Sequence, residues 1–301
     1  VRPSGHHFSQ CLKYSLTTTA DDASTLLPLF MNGMMRFDID PNLFNEVKSQ
    51  VVMHIKKEDE RWFDSAFYQV KQGLIQSNSS FKNRLIGEVD SVNQINREGV
   101  QSYIENQLNS SELTVLIQAK DPKRIWEIIE PKIKALPNRP VTNTKNPNFS
   151  EKFYHSNKLV QPVGVVMRVD PLSSNIKTVK GYLKVQLVDA LLSGMRYPAG
   201  LLHRRLRGAQ MVYVVHTIPV RWGQQDMLFT YALTDPENVK NVASIMNESF
   251  ESLKTQITKK QFELAKSQVL FNFQSQRQEP QTKAIDILFQ YDAFNKIQSE
   301  S

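Results

Sequence analysis

The chain has 301 residues, of which 40% are hydrophobic and 22% charged, a composition that supports a buried core and excludes an intrinsically disordered protein. Its single cysteine, Cys11, excludes an internal disulfide framework and a cysteine-based zinc site, and its longest uncharged stretches, of 13 residues, are too short to span a membrane. The net charge is +7, but outside residues 203–207 the basic residues are interspersed with acidic ones, without the continuous basic stripe of a nucleic-acid-binding surface.

Hydrophobic periodicity and capping residues predict both strands and helices in the first half of the chain. In chain order these are a strand over residues 8–19, helices over 23–34, 41–59, 63–75 and 97–108, a strand over 113–118 and a helix over 122–136. The pair Asp21-Asp22 and then Asp40 are the expected N-caps of the first two helices, because an aspartate oxygen accepts from the free amides of the first turn. The second helix has four apolar residues on one face: Leu43, Val47, Val51 and Ile55.

Residues 138–149, rich in Thr, Asn, Lys and Pro, are predicted to form a linker to the second half. The second half is predicted to contain strands over 151–155, 163–169, 211–220 and 226–234 and helices over 176–192, 199–207, 236–254, 259–276 and 282–295. Gly194 follows the first of these helices and is expected to end it. Alternation along residues 211–220 places Tyr213 and Val215 on one face of the strand, and it places His216 on the opposite face.

Two short sequences recur in the same order at nearly the same distance. YSLT at residues 14–17 returns as YALT at 231–234, and KSQV at 48–51 returns as KSQV at 266–269, shifts of 217 and 218 residues. This predicts a duplicated unit, with a first repeat over residues 1–137, the linker over 138–149 and a second repeat over 150–301. Because the first copy has no counterpart of residues 150–207 and the second none of residues 64–136, we expect both repeats to be incomplete, at opposite ends.

The order of these elements resembles the insulinase/pitrilysin family of zinc peptidases, the inverted zincins. The segments that carry the resemblance are residues 44–55, Ile86-Gly87 followed by 92–104, 201–215, and 238–270. The resemblance implies an α+β fold with two related domains, each an antiparallel-rich sheet packed against several helices.

The family's zinc site is a helical H-x-x-E-H motif, which places two imidazoles one turn apart beside a glutamate that acts as general base. The six histidines of this chain include no such spacing, and the family's third-ligand position falls on His54. The resemblance therefore implies a zinc-free half, with His54 a surface or boundary residue and the zinc in a partner half or subunit. An H-x-x-E-H motif shortly before Val1 would instead make His54 a candidate ligand.

In the family, an arginine and a tyrosine of the zinc-free domain hold the substrate backbone or the developing oxyanion, where fixed donors contribute most. Arg207 and Tyr213 match this pair, with a spacing one residue shorter than is usual, so Arg205 or Arg204 could take the arginine's role. Without the resemblance, Tyr213 is interpreted as a half-buried strand residue and the arginines as C-terminal charges on the preceding helix.

The function implied is the non-catalytic, substrate-binding half of a zinc metalloendopeptidase, inactive alone and contributing an Arg/Tyr clamp to peptide hydrolysis. Its expected partners are a peptide or protein substrate and a zinc-bearing half or subunit, with neither nucleic acid nor membrane among them. We expect a soluble protein whose compartment the sequence does not define. The alternative is a catalytically inactive scaffold or assembly subunit of the same fold.

Overall fold

The computed structural model describes residues 2–7, 12–35, 39–75, 80–108, 110, 113–139, 153–156, 159, 161–172, 179–194, 200–222 and 225–276. Cys11, residues 140–149 of the predicted linker and the predicted helix over 282–295 lie outside these residues. The described residues form an α+β fold, as predicted.

The strands and helices are numbered in chain order. The strands are β1 (Arg2–His7), β2 (Leu12–Thr17), β3 (Phe153–Ser156), β4 (Gly164–Pro171), β5 (Val214–Trp222) and β6 (Gln225–Thr234). The helices are α1 (Ala23–Met35), α2 (Pro41–Glu60), α3 (Trp62–Leu74), α4 (Val89–Gln94), α5 (Arg97–Gln107), α6 (Pro122–Lys134), α7 (Val179–Leu192), α8 (Val239–Gln256) and α9 (Lys259–Gln276). A π-helical turn, His203–Arg207, precedes β5, and a 3-10 turn, Pro236–Asn238, leads into α8. None of the described helices is long and apolar enough to cross a membrane.

The chain divides into two compact units. The first unit is Val1–Lys57 with Arg84–Thr144, and the second is Glu58–Asn83 with Lys145–Ser301. Although α3 directly follows α2 in the sequence, it belongs to the second unit.

The first unit contains the antiparallel hairpin of β1 and β2 and a set of helices of which α1 packs against α6. The start of α2 is fixed by Asp40, whose Oδ1 accepts from the backbone amides of Asn42 and Leu43 at 2.9 Å each. Lys48 on the same helix donates to the carbonyl oxygens of Asn93 and Ile95 at 2.7 and 2.8 Å. These carbonyls lie at the C-terminal end of α4, where a cation is favoured, so Lys48 ties α2 to α4.

The second unit is built on a four-stranded antiparallel sheet in the order β3-β4-β6-β5. One face of the sheet packs on α7, α8 and the π turn, through a cluster that includes Val166, Ala232, Leu206 and Met246. The other face packs on α3, through a cluster that includes Met167 and Phe229 from the sheet and Val70 and Leu74 from the helix. Consecutive strand residues such as Val166 and Met167 thus enter different clusters, as the two-residue period of a strand requires.

The strand–helix–helix order of the first unit returns in the second. β2 ends at Thr17 and β6 at Thr234, while α2 begins at Pro41 and α9 at Lys259. The helix starts correspond as well, because the Thr258 hydroxyl accepts from the amide of Gln261, as Asp40 caps α2.

Two local expectations are wrong. Residues 113–118 have no strand structure, since they pair with no described strand. β5 begins at Val214 instead of 211, so Val212 and Val215 both enter the core while Tyr213 between them is 54% exposed. The alternation predicted across residues 211–216 therefore does not apply before Val214. Gly194, by contrast, has the positive φ of 58° expected of a residue that ends a helix.

Candidate functional site

The predicted arginine, Arg207, is the last residue of the π turn, and the predicted tyrosine, Tyr213, directly precedes β5, both in the second unit. The turn is anchored by Leu202 and Leu206, which are fully buried in the cluster beneath it. It closes with a hydrogen bond of 2.9 Å from the amide of Gly208 to the carbonyl of His203, the wide ring that defines a π turn. Buried leucines on one side leave the charged side chains of the turn on the other.

Gly208 permits this close turn. A Cβ at this position would lie 2.5 Å from the carbonyl oxygen of Arg204, a distance that a real side chain does not tolerate. The chain then reverses through Gln210, whose φ is +57°, and the amide of Met211 donates to the carbonyl of Leu206 at 2.9 Å. The backbone between Arg207 and Tyr213 is thus fixed by short-range hydrogen bonds.

Arg205 is held against α8. Its guanidinium donates to the hydroxyl of Ser249 at 3.0 Å and to Oε2 of Glu248 at 2.9 Å, and the hydrogen bond from Arg205 is the largest cause that lowers the pKa of Glu248. These bonds tie the π turn to α8.

Arg207 has a different environment. Its side chain is exposed and makes no ion pair or side-chain hydrogen bond with any residue that the structure describes. Arg204 is likewise exposed and unpaired within the described part of the chain. Among the described residues, therefore, none engages the guanidinium of Arg207, whereas Arg205 is bonded to α8.

Tyr213 presents its phenol to solvent at the start of β5. Its hydroxyl donates to Oδ1 of Asp235 at 2.8 Å, and its amide donates to the carbonyl of Leu233 at 2.8 Å. The hydrogen bond to Asp235 and the charge of that carboxylate raise the pKa of Tyr213 above its ordinary value. The phenol therefore stays protonated at neutral pH and retains a proton to donate.

Two histidines that sequence reasoning did not single out lie beside Arg207. Burial first, and then the positive charge of Arg207, lower the pKa of His203. Burial also lowers the pKa of His216, followed by the charges of His203 and Arg207, and its Nδ1 is buried without a hydrogen-bond partner in the described structure. In the sequence, His203 lies four residues before Arg207 and His216 lies three residues after Tyr213. These spacings alone do not place the two histidines beside Arg207, because their positions depend on the turn between them.

Behind the site, a buried polar chain joins α7 to the sheet. The hydroxyl of Ser193 donates to Oδ1 of Asp189 and accepts from the amide of Thr217 at 3.0 Å, and the hydroxyls of Thr217 and Thr230 lie 3.1 Å apart. Burial raises the pKa of Asp189 to about 6, although the Ser193 hydrogen bond opposes the shift. These bonds fix the edge strand that carries His216.

The described residues do not fit a zinc site. Within them, no group of three or more His, Cys, Asp or Glu side chains could hold a metal ion. His54 is exposed on α2, and Cys11 and the side chains of His6, His7 and His155 lie outside the described set.

Residues 94–269 match the family described as the peptidase M16 inactive domain. No curated protein sequence matches the chain.

Several solved structures share the fold. A protease from Helicobacter pylori superimposes with a TM-score of 0.74 at 12% identity, over 93% of this chain and 69% of that one. A peptidase M16 inactive domain from Pseudomonas fluorescens gives 0.71 at 14% identity, over 91% and 67%. The periplasmic protease PqqL from Escherichia coli gives 0.74 at 14% identity, over 97% of this chain and 33% of its own, so the chain spans about a third of that protease.

Proposed function

Because the chain belongs to the family of peptidase M16 inactive domains, the non-catalytic half of M16 peptidases, we propose that it binds the peptide substrate of a zinc peptidase. The zinc that cleaves the peptide is supplied by a partner half or subunit. Arg207 and Tyr213 form the clamp, and Arg205 positions it.

The observation that carries this proposal is the contrast between the neighbouring arginines. Arg205 is bonded to Ser249 and Glu248, whereas Arg207 is exposed, and after burial its positive charge contributes to the lowered pKa of both His203 and His216. An exposed guanidinium on a turn fixed by backbone hydrogen bonds suits the carbonyl oxygens of an extended peptide or a developing oxyanion.

Tyr213 supplies the second donor. Its bond to Asp235 is exposed to solvent, where water competes for both groups, so the hydroxyl can rotate to a substrate oxygen. Asp235 meanwhile keeps the phenol protonated. The two donors therefore act as hydrogen-bonding groups and carry out no proton transfer of their own.

The test is peptide hydrolysis by the chain assembled with its zinc-bearing half. Arg207→Ala and Tyr213→Phe are each expected to lower kcat/KM by roughly 10- to 100-fold, the loss of one charge-assisted hydrogen bond. Arg204→Ala is the matched control, because Arg204 is also exposed and unpaired in the described structure. Unchanged kcat/KM in both clamp variants would refute the clamp, and a selective loss in Arg204→Ala would transfer the arginine's role to Arg204.

The chain alone provides a second test. It is expected to bind an unstructured peptide without cleaving it and to contain no stoichiometric zinc. Tightly bound zinc together with chelator-sensitive cleavage would contradict the proposal. An assembly that never cleaves peptides, with or without these substitutions, would favour the scaffold alternative.

A further inference from the structure

The segment that carries the clamp has no acidic residue of its own. Residues 190–225 contain five arginines and two histidines and neither aspartate nor glutamate. Within the π turn, Arg205 is neutralised by Glu248 of α8 at 2.9 Å. Arg204 and Arg207 are exposed and form no ion pair with any residue in the described ranges. The surface around Arg207 therefore has an excess of positive charge.

His203 shares one side of the π turn with Arg207. The turn repeats after roughly four residues, so side chains four positions apart point in similar directions. Leu202 and Leu206, which have this spacing, both enter the core, and His203 and Arg207 each follow one of them directly. In agreement with this arrangement, the positive charge of Arg207 acts on the half-buried imidazole of His203. A ligand bound at Arg207 would therefore also lie close to His203.

His216 adds a second imidazole from β5, which packs against the π turn. The charges of His203 and Arg207 both act on His216, which is half-buried. Its ring meets the ring of Tyr231 on β6 edge to face, with the ring centres 5.7 Å apart. We call His203, Arg207 and His216 the basic cluster.

Two carboxylates on the helices around the basic cluster have other partners. Glu248 of α8 accepts from Arg205 at 2.9 Å, and Asp189 of α7 accepts from the hydroxyl of Ser193. Neither of them is among the charges that act on the two histidines of the cluster. In the described part of the chain, the basic cluster therefore has no carboxylate that compensates its charge.

The Tyr213 end of the clamp has the opposite charge. The hydroxyl of Tyr213 donates to Asp235, and the negative charges of Asp235 and Glu237 both act on the phenol. A substrate carboxylate would be repelled at this end, whereas Arg207 offers it an exposed guanidinium whose planar donors match a carboxylate. The two ends of the clamp therefore favour substrate groups of different charge.

We propose that the Arg207 end of the clamp binds an acidic side chain of the substrate peptide, with Arg207 paired to its carboxylate and His203 protonated from solvent as it binds. A guanidinium has enough donors to hold a backbone oxygen and a carboxylate together. This inference rests on the proposed peptide-binding function and adds the class of side chain that the site selects.

Binding of the carboxylate is expected to depend on pH through His203. In the free chain, burial and then the charge of Arg207 lower the pKa of His203 from 6.5. A bound carboxylate favours the imidazolium and raises this pKa, so binding takes up a proton. The affinity for an acidic peptide should therefore rise as the pH falls from about 8 to about 6, a range in which an aspartate side chain stays ionised.

The probes are two short peptides of alanine, serine and glutamine that differ in one central residue, aspartate or asparagine. Each has a neutral fluorophore at its N-terminus and an amidated C-terminus, so the aspartate is the only carboxylate. In anisotropy titrations at about pH 6, the full chain is expected to bind the aspartate peptide at least about fivefold more tightly than the asparagine peptide. This preference should be smaller at about pH 8.

Three variants locate the preference. Arg207→Gln should bring the affinities for the two peptides close together, and His203→Gln should remove the pH dependence of their ratio. His54→Gln is the matched control, since it replaces an exposed histidine of the first unit, and it should keep both the preference and its pH dependence. Circular dichroism establishes that each variant is folded. If His203→Gln does not fold, Arg207→Gln still tests the proposal, because Arg207 is exposed.

The outcomes separate this inference from the clamp itself. If the unmodified chain bound both peptides equally, while Tyr213→Phe weakened both, selection of an acidic side chain would be refuted and the clamp would stand. Absence of saturable binding of either peptide would overturn the clamp and this inference together. A preference for aspartate that persisted in Arg207→Gln would show that the carboxylate binds elsewhere on the chain, and the basic cluster would lose its proposed role.

Discussion

Tyr213 shows how one neighbouring charge determines the chemistry of an exposed residue. Its hydroxyl donates to Asp235, and the carboxylate disfavours the phenolate, so the pKa of Tyr213 is raised. In the proposed clamp, a substrate oxygen would compete with Asp235 for this proton.

Asp235→Asn is expected to lower the pKa of Tyr213 towards the ordinary value of a tyrosine, since the amide keeps an acceptor but removes the charge. The measurement is a titration of phenolate absorbance, with Tyr213→Phe subtracted to assign the signal to this residue. An unchanged Tyr213 titration in Asp235→Asn would show that the contact is absent in solution.

Asp189 combines burial with a raised pKa of about 6. A carboxyl whose pKa is raised on folding stabilises the folded state while it is protonated, and this contribution is lost as the pH rises from 3.8 through about 6. Above that window, the folded state contains a buried carboxylate at a cost of about 3 kcal/mol, from a shift of about two units.

Asp189→Asn is therefore expected to raise the free energy of unfolding at pH 7.5 by up to about 3 kcal/mol, with a smaller gain at pH 4.5. The asparagine oxygen can still accept from Ser193. Urea denaturation at the two pH values measures the difference, and Asp21→Asn at an exposed position is the control. A gain that does not change with pH would rule out ionisation of Asp189 as its cause.

Among the elements, the helices were the most predictable. Asp40 and Gly194 mark helix ends by local chemistry that neighbouring segments do not alter. Leu43 and Val47 on α2 illustrate the limit: their apolar spacing is visible in the sequence, but they are 56% and 46% exposed, because burial depends on which elements pack against the helix. The predicted strand over 113–118 failed for the same reason, because a strand needs a partner.

The candidate site was predictable only in part. The sequence predicts Arg207, Tyr213 and Arg205 as candidate residues, but the π turn that carries the arginines depends on packing of Leu202 and Leu206 in the core. That turn gives each arginine a different environment. Together with the register of β5, it also brings His203 and His216 close to Arg207.

The π turn itself can be tested at Gly208, where a Cβ would collide with the carbonyl of Arg204. Gly208→Ala is expected to destabilise the chain by about 1–3 kcal/mol and to weaken peptide binding, since Arg207 is displaced with the turn. Thermal or urea denaturation measures the first effect and peptide anisotropy the second.

Gly33→Ala is the control for that substitution. Gly33 lies on α1, and nothing is within 4 Å of a Cβ added there, so alanine should be neutral or stabilise by about 0.5–1 kcal/mol. If Gly208→Ala left the stability of the chain unchanged or raised it, as is expected of Gly33→Ala, the π turn could open without an energetic cost. The turn would then not fix the position of Arg207.

At the scale of the whole molecule, the two compact units defined by packing differ from the two domains predicted from chain order. The predicted domains are continuous stretches, 1–137 and 150–301, whereas α3 forms part of the second compact unit. The reason is its apolar face: Ala66, Val70 and Leu74 are fully buried against sheet residues such as Met167 and Phe229. The hydrophobic pattern of α3 predicts a buried helix, but it does not specify which sheet buries it.

Leu74→Ala tests whether α3 stabilises the second compact unit, as its packing indicates, or the first predicted domain, as chain order indicates. Removal of a fully buried leucine is expected to cost about 2–5 kcal/mol, and the lost protection should appear in the strands that contact α3. Hydrogen exchange measured by mass spectrometry should therefore show faster exchange in β4 and β6, the strands that contribute Met167 and Phe229. Leu29→Ala, at a leucine of α1 that is 61% exposed, should leave exchange unchanged. If Leu74→Ala instead accelerated exchange in α1 and α6, then α3 would stabilise the unit to which chain order assigns it, and the assignment by packing would be wrong.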